Sequence, residues 1–396
     1  MNPWVAVDIF AALVPGGGIG RYVRDLTAAL LRLPDAPPAR FVCPRDWGAR
    51  ARALVPADRV HELPWPWLGQ RLAIQLGTVV PLRFDRWFGE AAVVHSPVGY
   101  GPTFRNSRLL CHVHDLTSIE HPEWHPTRAN LFLRHAIPHA ARHADTVLTH
   151  SRFVASRVRA VFGVPEERIV TIPPPIGHAF HPVSSRAARE RVTRRYGLDG
   201  PFVLHVGTLE PRKNHVGLVG AFERMRRAGF PGPLVLAGRE GWRVAPILAR
   251  IAASPERAAV IHVPDADDDD LVALYGACTV CAYPSLEEGF GMPVLESMAC
   301  GAPIVTSDHA SLTELGAGYA AAVPATDEDA LAAALLAVWR DPVARERAGA
   351  SGPARAAGYR WERWARRTFE LYRRELEAAG VPQPDAQLPL AVGDGR

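Results

Sequence analysis

Two glutamates eight residues apart frame the most chemically informative stretch of the chain, Ser285-Leu-Glu-Glu288-Gly289-Phe290-Gly291-Met-Pro-Val-Leu-Glu296. Carboxylates accept paired hydrogen bonds from vicinal diols, as an acidic residue does with ribose in dinucleotide sites. The glycines leave backbone N–H groups open to close approach. Pro293 suits the first turn of a helix and Gly301 its end. The spacing therefore predicts Glu288 in a loop and Glu296 in the first helical turn, both converging on the end of a strand. One would hold a ribose and the other a sugar. For Glu296 the competing reading is a partner for the helix dipole.

A second stretch, Gly207-Thr208-Leu-Glu-Pro-Arg212-Lys213-Asn214-His215, reads as strand, loop and helix start. Adjacent cations at a helix N-terminus suit a diphosphate, with the helix dipole adding to both. Of the 45 basic side chains, Lys213 is the one lysine and the rest are arginine. Where lysine persists in such a chain, a compact point charge is wanted in place of a planar fork; the alternative is a chance remnant on the surface.

Three other patterns carry less. Pro15-Gly-Gly17-Gly18-Ile-Gly20-Arg21-Tyr22 follows a strand and opens a helix, so its amides could approach an anion. It is neither a G-x-G-x-x-G fingerprint, since position 21 is arginine, nor a P-loop, which disfavours NAD and ATP. His112-Val-His114-Asp115 ends an apolar strand. Residues i and i+2 share a strand face, so the histidines could be a metal pair, His114 could touch a substrate hydroxyl, or both could be structural. The acidic run Asp265–Asp270 contains D-x-D but directly precedes an apolar helical pattern, which favours N-cap and dipole roles over metal binding.

These motifs sit in a chain of 396 residues, long enough for two domains. Apolar runs predict strands at Trp4–Ile9, Ala92–His95, Leu109–His114, Asp145–His150, Phe202–Gly207, Leu234–Gly238, Ala259–Val263, Val280–Ser285 and Pro303–Ser307. Helical periodicity lies between most of them, as at Gly20–Leu33, Arg128–Ala144, Val216–Ala228 and Leu271–Cys278. Strands alternating with helices imply α/β folding, with doubly wound parallel sheets covered on both faces. Ligands then bind beyond the carboxyl ends of strands, here in a cleft between two Rossmann-like domains. The three consecutive prolines at 173–175 place a linker at about 173–185. The predicted division is a first domain over 1–175, a second over 186–358, a helix over 359–380 crossing back to the first, and a disordered tail over 381–396.

The net charge is +4, but residues 1–180 hold 20 Arg against 14 acids, a balance of +6 that leaves −2 for the remainder. A mildly basic first half suits an anionic acceptor or an anionic membrane face, or is plain scatter. Nothing resembles a nucleic-acid patch. The five scattered cysteines fit reduced thiols in the cytoplasm, with Cys278 and Cys281 as core thiols. No apolar run is long enough to span a membrane, and no secretory signal is expected.

In family order, GIGRY, HVHDL, SRFVASRV, GTLEPRKN, LAGREGW, YPSLEEGFGMPVLESMACGAPIV and SDHASLTEL resemble glycosyltransferase family 4 over most of the chain. The E-x₇-E segment is the most specific part, and GIGRY and TLEPRKN are similar to bacterial mannosyl- and rhamnosyltransferases of polysaccharide assembly. The resemblance implies a GT-B fold and transfer of a hexose, mannose from GDP-mannose foremost, with retention and without a metal. The acceptor would be a glycan or lipid-linked, and the protein cytoplasmic or peripheral at the inner membrane face.

Carried across, Arg212 and Lys213 neutralise the diphosphate and Glu296 holds the ribose. Glu288, with the Gly289–Phe290–Gly291 backbone, holds the sugar, and Thr208 lies with the donor. Val263 sits near the base, Gly17 and Gly18 near phosphate or sugar, and His114 at a sugar hydroxyl. Arg21, Tyr22 and Asp115 fall on the acceptor side, where the loops Trp65–Gln70 and Glu120–Thr127 would add aromatics. A nucleotide-sugar epimerase of the same fold and a non-catalytic nucleotide-sugar-binding partner are the alternatives. A phosphorylase would need a further lysine for pyridoxal phosphate.

Overall fold

The computed structural model describes residues 4–14, 18–80 and 82–382, so Gly17 and the tail beyond Pro382 lie outside the described residues. Two sheets carry the strands. The first runs β3-β2-β1-β4-β5-β6-β7, with β1 Trp4–Asp8, β2 Ala39–Pro44, β3 Val60–Leu63, β4 Ala91–Ser96, β5 Arg108–Val113, β6 Thr146–Thr149 and β7 Ile169–Thr171. The second runs β10-β9-β8-β11-β12-β13, with β8 Val203–Val206, β9 Leu234–Ala237, β10 Val260–Val263, β11 Val280–Tyr283, β12 Ile304–Ser307 and β13 Ala321–Val323. The pairings within the second sheet are parallel, as are those of β1 with β2 and β4, β2 with β3 and β4 with β5. Strand order therefore reverses between β1 and β4 in one sheet and between β8 and β11 in the other, the switch points at which such sheets open a crevice.

The chain packs as two compact units, residues 1–112, 139–147 and 365–396 in one, and 113–138 and 148–364 in the other. In the second, alternate strand residues feed two cores. Leu204, Val235 and Ala237 join Tyr275, Tyr283, Leu295 and Ile304 on one face, while Val203, Leu234 and Leu236 join Leu218, Phe222, Phe230 and Leu335 on the other. Burial on both faces is why these strands read as unbroken apolar runs.

Four strands escape the periodicity. β2 is bracketed by Pro37, Pro38 and Pro44; β3 mixes polar residues at a sheet edge; β7 and β13 have three residues each. The Arg-rich run after the expected linker opens the second half as a helix, Ser185–Tyr196, whose Ser184 N-cap accepts from the Ala187 N–H. Asp267 likewise caps the helix Asp268–Ala277 by accepting from the Asp270 N–H at 2.8 Å, and the buried Asp270 takes Arg191 Nε and the Tyr196 hydroxyl, each at 2.8 Å. The thiols of Cys278 and Cys281 are buried 3.5 Å apart, Cys281 on β11 and Cys278 ending the preceding helix.

The last helix, Trp361–Ala378, belongs from Ala365 onward to the first unit. Phe369, Tyr372 and Leu376 form its buried stripe. Glu375 is buried with them because it accepts Arg108 Nε at 2.7 Å and Thr146 Oγ1 at 2.8 Å, and the Tyr372 hydroxyl lies 2.6 Å from His95 Nδ1.

His205, on β8, is wholly buried. Its Nδ1 lies 2.9 Å from the Ala282 carbonyl of β11, and its ring packs against His215 and Tyr283. Burial lowers its pKa from the usual 6.5 to about 4. The unfolded chain therefore takes up this proton first as pH falls, and stability is lost from near 6.5 down to about 4. Between pH 7 and pH 5 this one group should withdraw about 2 kcal/mol. Urea unfolding of His205→Gln should show a pH 7 to pH 5 loss smaller than the parent's by about that amount; an unchanged loss would place the acid sensitivity elsewhere.

Candidate functional site

The switch point of the second sheet holds a buried ion cluster. After β8 the chain makes a tight turn, Pro211–Lys213, and Asn214 takes the left-handed conformation at φ 57° as N-cap of helix His215–Arg227. The Asn214 amide nitrogen donates to the carbonyls of Pro284 at 3.1 Å and Ala325 at 2.7 Å, and the Leu286 N–H donates to the Arg212 carbonyl at 2.8 Å. These bonds tie the loop after β8 to the loop after β11, so that side chains from both meet.

They meet at Glu288. Its Oε2 accepts from the Arg212 guanidinium at 2.7 Å; its Oε1 accepts from Lys213 Nζ and, at 2.8 Å, from the Tyr283 hydroxyl. Lys213 Nζ also lies 2.5 Å from the Tyr283 hydroxyl oxygen and 4.9 Å from its ring centre. Arg212 Nε pairs with Glu210 at 2.6 Å. Glu288, Lys213 and Glu210 are 5%, 7% and 2% exposed, so two cations and two carboxylates share one desolvated volume. Burial would raise the Glu288 pKa, yet Arg212 and Lys213 hold it well below the usual carboxylate range. Burial, then the adjacent Arg212, lower Lys213, while Glu288 opposes them.

The following loop is fixed just as closely. A Cβ on Gly289 would sit 1.9 Å from the His114 carbonyl oxygen, so only glycine fits there. Ser151 Oγ donates to the Gly289 carbonyl at 2.6 Å and Ser311 Oγ to that of Glu288 at 2.7 Å. Phe290 is buried beside Tyr359 and His150. Gly291, at φ 100°, precedes helix Met292–Cys300, which has no side-chain N-cap bond, and Gly301 ends it at φ 69°. The N-terminus of that helix is thus available to an anion. Glu296 lies in the second turn, not the first: with Gly291 as N-cap, the first turn is Met292–Leu295. It is buried and accepts the Tyr275 hydroxyl at 3.0 Å.

The remaining residues distribute as follows. His114 Nδ1 lies 3.1 Å from His150 Nε2. Asp115 accepts from the Thr117 N–H and hydroxyl, and is near enough to Arg212 to favour its charge. Thr208 is half-buried just past β8, where Gly241 approaches it. Val263 turns its side chain into the core, and its carbonyl accepts from the Gly238 N–H at 2.9 Å. Gly18, Arg21 and Tyr22 belong to the other unit, in helix Gly18–Arg32. There Tyr22 is buried with its ring edge-on to His112 at 4.9 Å.

Sequence reasoning passed over Tyr283, Glu210 and Glu287. Tyr283 ends an apolar strand and looks like core; Glu210 stands in the quoted TLEPRKN run without a spacing that singles it out. Glu287 is buried with Oε2 3.0 Å from His121 Nε2, and the doublet with Glu288 hid it.

Residues 16–180 match Glycosyltransferase Family 4 and residues 189–355 match Glycosyl transferases group 1. The chain is 32% identical over 283 residues to the O-antigen chain mannosyltransferase B of Escherichia coli, covering 71% of this chain and 74% of that protein. Among solved structures, sucrose-phosphate synthase from Thermosynechococcus elongatus superposes with a TM-score of 0.72 at 20% identity, over 96% of this chain and 100% of that one. Anabaena HepE in complex with UDP-glucose gives 0.70 at 18% identity, over 93% and 99%. At such identities the structures speak for the fold alone. With both halves matched and a relative aligned over most of its length, the chain belongs to glycosyltransferase family 4, of the GT-B fold.

Proposed function

We propose that this glycosyltransferase moves mannose from GDP-mannose, with retention and without a metal, onto a glycan or lipid-linked acceptor in polysaccharide assembly at the cytoplasmic side of the membrane. The observation that carries the reading is the buried cluster of Arg212, Lys213, Glu288 and Glu210 at the β8/β11 switch point. Two cations there, with the open N-terminus of helix Met292–Cys300, suit the charge that grows on a departing diphosphate. Support for mannose comes from the mannosyltransferase relative, and for a nucleotide sugar from the UDP-glucose held by HepE.

The chemistry needs no enzymatic nucleophile. The acceptor oxygen bonds to the anomeric carbon on the face the phosphate oxygen leaves, and its proton passes to that oxygen. Arg212 and Lys213 take the diphosphate, Glu296 the ribose, and Glu288 and His114 the sugar. Metal independence is supported by the cations available for the charge-neutralising role and by the run at Asp265–Asp270 serving as an N-cap and as partners of Arg191. The deciding assay is mass spectrometry of mannosylated product from GDP-mannose in EDTA; a requirement for Mn²⁺ or Mg²⁺, or donor loss without an acceptor, would overturn it.

On sequence grounds alone, losing Glu288 leaves diphosphate affinity nearly intact. The ion cluster changes that expectation, because Glu288 occupies the same two cations that a diphosphate requires. Glu288→Gln should bind GDP more tightly by about tenfold, or about 1.4 kcal/mol, while transfer collapses. Glu296→Ala should weaken GDP by about 1.5–3 kcal/mol. Calorimetry with equal losses in both variants would sink these assignments.

Lys213→Arg should fail although arginine serves every other basic position. Nζ sits between the Tyr283 hydroxyl and Glu288, where a planar fork does not fit. We expect kcat of the folded variant to fall at least about tenfold, about 1.4 kcal/mol of barrier, with Tm lowered as well because the buried ring and carboxylate must make room. Arg189→Lys on the exposed face of helix Ser185–Tyr196 is the neutral control. Parent-like turnover in Lys213→Arg would remove the lysine from the phosphate site.

A further inference from the structure

Three histidines spaced four residues apart, His135, His139 and His143, lie along helix Thr127–His143. Side chains at that spacing are neighbours on a helix surface. The last two belong to the first compact unit and have closed on one another: their ring centres stand 4.2 Å apart, with the planes tilted by 34°. His139 is half-buried and His143 exposed, so the pair is anchored at one ring and open to solvent at the other. Neither residue takes part in the ion cluster.

The hydrogen bonding prepares the pair for a ligand. His143 Nδ1 lies 2.8 Å from the His139 backbone carbonyl. A carbonyl only accepts, so Nδ1 carries the hydrogen, and the neutral ring keeps its lone pair on Nε2. A bond from one ring nitrogen to a backbone carbonyl is what orients a histidine that ligates a metal through the other. Burial, then His143, Arg83 and Arg142, hold the His139 pKa below the usual 6.5, so that ring too is neutral at pH 7 with a lone pair to give. Pro138 gives such a link a structural use. It has no N–H to return to the preceding turn, so the helix end beyond it is held by fewer bonds, and a tie between His139 and His143 would span the last turn.

The donors choose the ion. Imidazole nitrogens suit Zn²⁺, Ni²⁺ and Cu²⁺, whereas Mg²⁺ and Mn²⁺ seek oxygen. Two histidines four apart on one helix face are the spacing at which helices hold zinc. The arginines oppose any cation, but Arg83 and Arg142 are exposed and salt screens their repulsion. We infer that His139 and His143 together chelate one transition-metal ion of the zinc and nickel type on the surface of the first unit, pinning the last turn of the helix. The site is separate from the transfer chemistry proposed above, which it neither needs nor supplies.

The test is titration calorimetry of the full, untagged chain with nickel chloride and with zinc chloride. The parent should take up one ion at this pair, more tightly as sodium nitrate is added, because salt screens the arginines. It should release the ion as pH falls and the rings protonate. His143→Gln, at an exposed position, should weaken binding at least about tenfold, since one imidazole keeps no chelate, with the metal-free melting temperature unchanged. His139→Gln should weaken it alike. His178→Gln with His181→Gln, exposed histidines at another spacing, should bind like the parent, and Arg142→Gln at least as tightly. A parent that takes up neither ion overturns the inference. So does a tight ion that survives both His139→Gln and His143→Gln, which would lie elsewhere in the chain, and so does binding that Arg142→Gln abolishes, because the pair would then serve an anion.

Discussion

A carboxylate and two cations cannot be buried singly. Removing one partner from a buried pair leaves an uncompensated charge, at a cost of about 3–5 kcal/mol. The cluster of Glu288, Arg212, Lys213 and Glu210 therefore constrains everything around it. Its charges lie on two loops that are far apart in sequence, so those loops must be held in register to within hydrogen-bond tolerance. The sheet supplies that register by setting β8 beside β11, and Asn214 completes it by bonding across to Pro284 and Ala325. The left-handed φ at Asn214 follows from the same demand, because the chain must leave a tight turn and enter a helix within one residue.

An internally neutralised site also has a functional logic. Cations left open at a strand end would hold any passing anion, and a site built so would release its product slowly. Here the carboxylate that is proposed to serve the sugar also closes the cation pair when no diphosphate is bound. Tyr283 belongs to that arrangement: its hydroxyl oxygen receives Lys213 and its proton goes to Glu288, so neither charge faces the apolar sheet unpaired. Behind it, burial keeps His205 neutral and adds no third cation to the cluster.

Much of this was legible in the sequence, for reasons that can be stated residue by residue. Strands buried on both faces read as apolar runs, so most central strands of both sheets were visible; proline-bracketed β2, the polar edge strand β3, and β7 and β13, short and partly exposed, were not. The Arg212–Lys213 pair and E-x₇-E were visible because charged residues beside glycines and prolines stand out at the ends of apolar strands. What the sequence withheld was pairing. Nothing in the spacing says that Glu288 closes on Arg212 and Lys213, or that Glu296 starts one turn later than Pro293 suggests and faces Tyr275. Tyr283 was hidden by its own apolarity: an aromatic at the end of a buried strand looks like packing until its hydroxyl is located.

The lone lysine shows how composition becomes evidence once geometry is known. Arg212 and Lys213 are neighbours with different tasks. The guanidinium of Arg212 spans two carboxylates, its Nε on Glu210 and its terminal nitrogen on Glu288, which needs a rigid fork. Lys213 reaches a narrower place, between a hydroxyl and a carboxylate oxygen that are themselves 2.8 Å apart, with an aromatic ring alongside. A compact ammonium can donate to both from a single nitrogen; a guanidinium would have to push aside the ring, which packs in the core, or the carboxylate, which Arg212 and Tyr283 hold. In a chain whose other basic residues are all arginine, the position that resisted the bias is the one where the shape of the cation, not its charge alone, is set by buried neighbours.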